Sequence, residues 1–307
     1  MNIKINTNSR SRVMAESWSK RAAVRDKRFE EYRANLFDQS FREFPETLIP
    51  FHQHPLYLEL DIEKKNFIDS LAWIYWNKRV VETEELIVAP AIQKLIELDH
   101  IFNIKGTDRS IIRQTLIDET FHSYMHEIAI ENTIKWRNLQ ENIVDELNNK
   151  ALIYRRYKEI CSKNLSEIEK DLALVAWCFV GELSIYEFLN LVSKDETIQP
   201  FNRHLVSLHE KDENAHAGVF EIIILNNLEN LKNEHKAILK KFINIAMDVF
   251  VEDDWIVWSQ ILDVVGVKSS QTIINDIKNE NEYVSKINLS RSYERIYSVF
   301  NELNLEL

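Results

Sequence analysis

An all-α architecture is what this sequence predicts, and three observations carry the prediction. Its 307 residues include only 4 Gly and 5 Pro, far below average usage of about 7% and 5%, so turns are few and helices long. No stretch alternates apolar and polar residues as a half-buried strand would. The tetrad Asp118-Glu119-x-x-His122 recurs as Asp212-Glu213-x-x-His216, which marks a repeated helical unit.

The elements follow in order. Residues 1–10 are polar and read as unstructured, and Ser11 to about Asn35 reads as an outer helix or arm with Ala15, Trp18, Ala22 and Phe29 as its apolar content. Pro45, Pro50 and Pro55 make 44–56 an extended linker that wraps the domain. The first long helix spans about 66–98. Phe67, Leu71, Ile74, Val81, Glu84 or Glu85, and Val88 approximate its stripe, with a kink expected at Pro90. Lys105-Gly106-Thr107-Asp108 is a turn offering an N-cap, and a second helix runs from it to about Trp136. Its inward face carries Ile112, Thr115, Glu119, His122, His126 and Ile130.

A polar helical connection, about 139–163, returns the chain. Ser166 and Glu169 form a capping-box signature for the third helix, which runs to about Ser193 with Val175, Cys178, Phe179, Glu182, Tyr186 and Leu189 on one face. Pro200 suits the first turn of the fourth helix, about 200–227. One apolar helix over 234–265 and one or two short ones over 270–305 complete the chain. A single domain over 1–307 is expected: core helices about 66–227, N-terminal arm about 1–65, C-terminal helices about 234–305.

The chemistry begins at the stretch from His204 to Gly218. His209, Glu213 and His216 stand at i, i+4 and i+7, within about 60° of one another on a helix. Two imidazoles and a carboxylate on one face need partners if buried, and one metal ion satisfies all three. A solvated face with two chance histidines is the competing reading of this stretch alone. The repeat weighs against it, because Glu84 precedes the first tetrad and Glu182 the second. Two units of Glu followed by Glu-x-x-His are the ligand pattern of di-iron and di-manganese carboxylate bundles, so the expected fold is a ferritin-like four-helix bundle core with additional peripheral helices. The ligands so assigned are Glu84, Glu119, His122, Glu182, Glu213 and His216, with Glu119 and Glu213 as bridges by the symmetry of the repeat. Glu85 fits the first position nearly as well as Glu84.

Asp118 and Asp212 point about 100° away from their neighbouring glutamates. Ligating histidines usually donate their second N–H to a carboxylate, so these aspartates are expected to hold His122 and His216, within a half or across the pseudo-twofold; ordinary surface charge is the alternative. His126, one turn beyond His122, is either an outer partner of the metal site or, more often for such a residue, a hydrogen-bonded core histidine. Gly181 and Gly218, beside candidate ligands, either open space for oxygen or substrate or permit close helix packing. Trp73, Tyr75 and Trp76 read as core.

Apolar residues at 45% supply a sizeable core and charged residues at 28% its exterior. The net charge of −11 argues against nucleic-acid or anionic-membrane partners. Cys161 and Cys178 lack metal-ligand spacing and read as free thiols. No secretory signal is visible and no apolar run approaches the roughly 18–20 residues of a membrane span, so a cytoplasmic location without membrane association is expected.

With these residues in hand, the chain resembles the p-aminobenzoate N-oxygenase family of non-haem di-iron proteins over about residues 66–227: Glu84, DETFH, Glu182 and the extended HEKDENAH. The feature that separates this family from ribonucleotide reductase small subunits, desaturases and ferritins is a further histidine one turn before the last Glu-x-x-His. Here that residue is His209, and its counterpart in the first half is Thr115. The resemblance implies seven ligands with three histidines, two iron ions, O2 as co-substrate, and oxygenation of an amine, with an arylamine expected, to hydroxylamine, nitroso or nitro products. It also implies a small-molecule amine substrate and an external electron donor; a homodimer is compatible with it. The competing class is a di-iron or manganese/iron oxidase or desaturase acting on carbon. Ferritin-type metal storage is disfavoured by the length of the chain.

Overall fold

The computed structural model describes residues 7–26, 29, 37–147, 149–228, 231–279 and 290–302. Helix α1 (Thr7–Arg21) leads to α2 (Ile62–Thr83), which continues through a π-helical turn, Glu84–Val88, into α3 (Ala89–Glu97). Then come α4 (Gly106–Trp136), α5 (Leu152–Cys161), α6 (Glu167–Ser193), α7 (Pro200–Asn227) and α8 (Asn233–Phe250). Three shorter helices follow: α9 (Trp255–Val264), α10 (Ser270–Asn279) and α11 (Ser290–Glu302). Among the described residues the β-type contact is a single isolated bridge between Arg42 and Ile198. The protein is all-α.

The four long helices α2, α4, α6 and α7 form the bundle. α2 packs on α4, α4 on α7 and α7 on α6, while the π-helical turn closes the ring against α4 and α6. Helices α8 and α11 cover α6, α9 lies on α2, and α1 lies across α4 and α7. The caps are local: Asp61 accepts from the Lys64 N–H at 2.8 Å, and Ser166 and Glu169 close the expected capping box on α6.

Two apolar clusters fill the interior. Along α2 the residues 68–80 belong to one cluster, and Ile87 to Leu95, beyond Glu84, to the other. On α4, Ile111 and Ile112 lie in one and Met125 and Ile128 in the other. On α7, Leu205 and Leu208 are followed, past the histidines, by Ala217 and Val219 of the opposite cluster. The change falls on α6 between Leu183 and Leu189. Each bundle helix therefore crosses one buried polar layer between two apolar ones.

Several expectations need correction. The chain is helical from Thr7, not unstructured through residue 10, and part of the expected arm (27–28 and 30–36) lies outside the described residues. Residues 44–56 are not extended: Pro45 precedes a 3-10 turn and Pro55 starts a short helix, because a fixed φ near −65° also suits a first helical turn. The first long helix is not merely kinked at Pro90. Proline cannot donate to residue i−4 and crowds its carbonyl, and the π-helical turn immediately before it opens the backbone at that point. The N-cap expected at 105–108 is not made: Lys105 precedes α4 without a side-chain cap, and Asp108, inside the first turn, accepts from Ser11 at 2.5 Å and Asn226 at 2.8 Å.

The apolar helix expected over 234–265 is two helices, broken at 251–254. There Asp254 accepts from Tyr75 at 2.7 Å and from Arg155 at 2.6 Å, so long-range bonds hold the break. Nor does the absence of a span-length apolar run hold for α6, which is long and apolar enough to cross a membrane. The window concerned is 78% buried inside the bundle, so packing on all sides accounts for its composition.

Gly181 and Gly218 do not adjoin the polar layer through their missing side chains. A Cβ at Gly181 would meet Phe250 at 3.8 Å, and one at Gly218 would meet Met14 at 3.8 Å, both ordinary contacts with peripheral helices. Gly181→Ala and Gly218→Ala are therefore each expected to raise stability by about 0.5–1 kcal/mol, by lowering unfolded-state entropy. A urea midpoint that moved down in either variant would show that the backbone there needs glycine.

Candidate metal centre

Glu119 and His122 stand one turn apart on α4, as do Glu213 and His216 on α7, because positions i and i+3 share a helix face. Ligand-type atoms of these four buried residues lie within 4.8 Å of one another. Glu84, His122 and His209 form a second such group, and Glu84, Glu119 and Glu182 a third. The structure thus brings all seven expected residues to one place in the polar layer. Of Glu84 and Glu85, the first is buried in this cluster and the second is exposed. Thr115 donates its hydroxyl to the Ile111 carbonyl at 3.2 Å, so the first half has no counterpart of His209.

Outer nitrogens orient two of the rings. His122 Nε2 lies 3.4 Å from Asp212 Oδ2, and His216 Nε2 lies 3.1 Å from Asp118 Oδ2. Each aspartate serves the histidine of the other half, which turns both Nδ1 atoms inward. His122 Nδ1 is 2.9 Å from Glu119 Oε2, and His216 Nδ1 is 2.8 Å from Glu119 Oε1. His126 stands outside the cluster, with Nε2 2.8 Å from His209 Nδ1.

The donor set fits two metal ions. One oxygen on each of Glu84, Glu119, Glu182 and Glu213 is buried without a hydrogen bond; the 2.8 Å approach of His216 to Glu119 Oε1 lacks hydrogen-bond geometry. Buried carboxylate oxygens without donors are costly. Two divalent cations would balance the four carboxylates, and oxygen with imidazole donors suits iron. The cluster is that of a carboxylate-bridged di-iron site.

Sequence reasoning missed what holds the aspartates. Trp18 on α1 donates its indole N–H to Asp118, 2.9 Å from each oxygen. The Ala23 N–H, just past α1, donates to Asp212 Oδ2 at 2.8 Å, with Arg21 Nη1 3.7 Å from Oδ1. The segment expected as an outer arm therefore braces both halves of the site. Its one visible signal was a tryptophan in an otherwise charged helix.

Residues 6–304 match the family described as P-aminobenzoate N-oxygenase AurF. The 4-aminobenzoate N-oxygenase of Streptomyces thioluteus is 28% identical over 272 residues, which cover 87% of this chain and 78% of that protein.

The electrostatics follow from crowding in a dry interior. Burial, and then repulsion from Glu119 and Glu213, drives Glu84 well above the usual carboxylate range; burial with Glu213 and Glu119 does the same to Glu182. Burial also opposes charge on Glu213, but His216 and hydrogen bonds from the three histidines outweigh it and hold that carboxyl well below its usual value. For His122 and His216 burial works against the imidazolium, yet Glu119 and the other carboxylates push both well above the usual range. Groups that hold protons this firmly must release them to bind a cation. Iron(II) uptake is expected to liberate protons and to tighten as pH rises through neutrality. Calorimetry in two buffers of different ionisation enthalpy measures this, and an uptake heat independent of buffer would contradict it.

Proposed function

The chain belongs to the p-aminobenzoate N-oxygenase family, and from that premise we propose how its own residues serve the reaction. It is a di-iron, O2-dependent oxidoreductase that N-oxygenates an arylamine. We assign Glu84, Glu119, His122, Glu182, His209, Glu213 and His216 as the ligands, with Glu119 and Glu213 as bridges. The observation that carries this assignment is the position of one atom. Glu213 Oε1 lies 3.1 Å from His209 Nε2, 3.2 Å from His216 Nδ1 and 3.3 Å from His122 Nδ1. An oxygen central to three ring nitrogens is where a bridging carboxylate belongs.

When bound, the two irons supply the redox chemistry of O2 activation, with electrons from an external donor. The chain's own residues do the rest. Four glutamates balance the charge of two divalent ions, and three imidazoles add donors without adding charge. Asp118 and Asp212 accept the outer N–H of His216 and His122, which keeps the inner lone pairs on the site. The apolar clusters on either side of the polar layer keep water from it, which strengthens every electrostatic interaction inside. His209 makes the site asymmetric and is proposed to bias it toward attack on an amine nitrogen. The substrate is a small arylamine.

Incubating the iron-loaded, reduced protein with an arylamine under 18O2 is expected to place the label on nitrogen, as read by mass spectrometry. His209→Ala is expected to remain helical while product falls by more than the roughly 10–100-fold that outer partners of a metal site carry. A label on carbon, or a His209→Ala variant of undiminished activity, would overturn this reading.

A further inference from the structure

The third histidine has no aspartate behind it, and what stands there instead is determined by a chain of hydrogen bonds. Asn77, fully buried on α2, donates from Nδ2 to the Trp73 carbonyl at 2.7 Å. A carbonyl only accepts, so this bond fixes which end of the amide points the other way. The end that remains, Oδ1, lies 2.6 Å from His126 Nδ1 and can only accept. The proton of His126 must therefore be on Nδ1. In a neutral ring Nε2 is then a lone pair, and it lies 2.8 Å from His209 Nδ1. That contact is a hydrogen bond only if His209 carries its proton on Nδ1. His209 Nε2 then faces the carboxylates, 3.1 Å from Glu213 Oε1 and 3.9 Å from Glu84 Oε1, and any proton it shares with Glu213 in the metal-free protein is the one a cation displaces.

The same roles follow when the chain is read from the metal outward. An imidazole that binds a cation through Nε2 keeps its proton on Nδ1, so its partner must accept. His126 can accept only if its own proton sits on Nδ1, and that proton needs the amide oxygen Asn77 presents. The reverse arrangement, with Nε2–H on both rings, would put the His126 Nδ1 lone pair against Asn77 Oδ1 at 2.6 Å, two acceptors facing each other in a dry interior. Trp76 meets the His126 ring edge to face, with centroids 5.2 Å apart, and helps keep it from turning away.

We propose that Asn77 and His126 are positioning residues that hold His209 in the Nδ1–H tautomer, so that its Nε2 lone pair is presented to the metal. The inference rests on the di-iron reading of the site. It also gives that site a second asymmetry. His122 and His216 are backed by carboxylates, which raise the basicity of a ligand, whereas His209 is backed by a neutral imidazole and is the weakest donor of the three.

The test is a long-range 1H–15N correlation spectrum of the metal-free protein labelled with 15N-histidine, together with anaerobic iron(II) titrations against a competing chelator. In the wild type, His126 is expected to carry its proton on Nδ1 alone, against the preference of imidazole in water for Nε2, and His209 to carry one on Nδ1 in addition to any proton its Nε2 shares with Glu213. Asn77→Leu, which removes the acceptor at similar volume, is expected to return both rings to Nε2–H and to weaken binding of one of the two irons by roughly 10–100-fold. A wild-type His209 protonated on Nε2 alone, a doubly protonated His126, or an Asn77→Leu variant with unchanged tautomers or unchanged iron affinity would overturn the proposal. Because the spectrum needs no metal, the two readings fail separately. Nδ1–H rings in a protein that takes up no iron would sink the di-iron reading alone, and rings protonated on Nε2 alone in an active di-iron enzyme would sink the relay alone.

Discussion

Mutual repulsion among four buried glutamates is the constraint on which the rest of this structure depends. Glu84, Glu119, Glu182 and Glu213 converge from four different helical segments, and each charge removed from water costs several kcal/mol even after relaxation. A domain whose net stability is about 5–15 kcal/mol cannot leave four of them uncompensated. A firmer hold on protons at Glu84, Glu182, His122 and His216 offsets part of the repulsion; two divalent cations would balance the four carboxylates. The two apolar clusters make the surrounding medium dry enough that this compensation must come from within the layer.

The supporting arrangement is symmetric where charge is balanced and asymmetric where chemistry is expected. Asp118 and Asp212 cross between halves to reach His216 and His122, so each half of the repeat needs the other to orient its histidine. Helix α1 and the turn just past it then tie the two aspartates through Trp18 and Ala23, linking the N-terminal segment to the site without contributing a ligand. The symmetry breaks at one turn of helix. His209 occupies in the second half the place that Thr115, bonded to its own helix backbone, holds in the first.

What could be read from the sequence was whatever local spacing encodes. The i, i+3 and i+4 relations of Glu119, His122, His209, Glu213 and His216 put them on common faces before any tertiary contact is known, and so they point to a shared partner. The capping box at Ser166 and the low glycine and proline content are local in the same way. The features that escaped depend on residues far apart in the chain. Trp18 meets Asp118 across 100 residues, and the break before α9 is held by Tyr75, 179 residues from Asp254. Glu85 fits the sequence pattern nearly as well as Glu84 for a different reason: a π-helical turn begins at Glu84 and shifts the phase of the helix there. Asn77 gave no signal at all, because a single buried amide follows no pattern.

We propose that seven side chains of this one chain hold two ions, and diffraction from crystals of the iron-loaded protein, collected at the iron absorption edge, checks this. Two anomalous peaks are expected about 3.5–4 Å apart between α2, α4, α6 and α7, one of them within bonding distance of His209 Nε2. A single peak, or two peaks with the His209 ring turned away from both, would refute it.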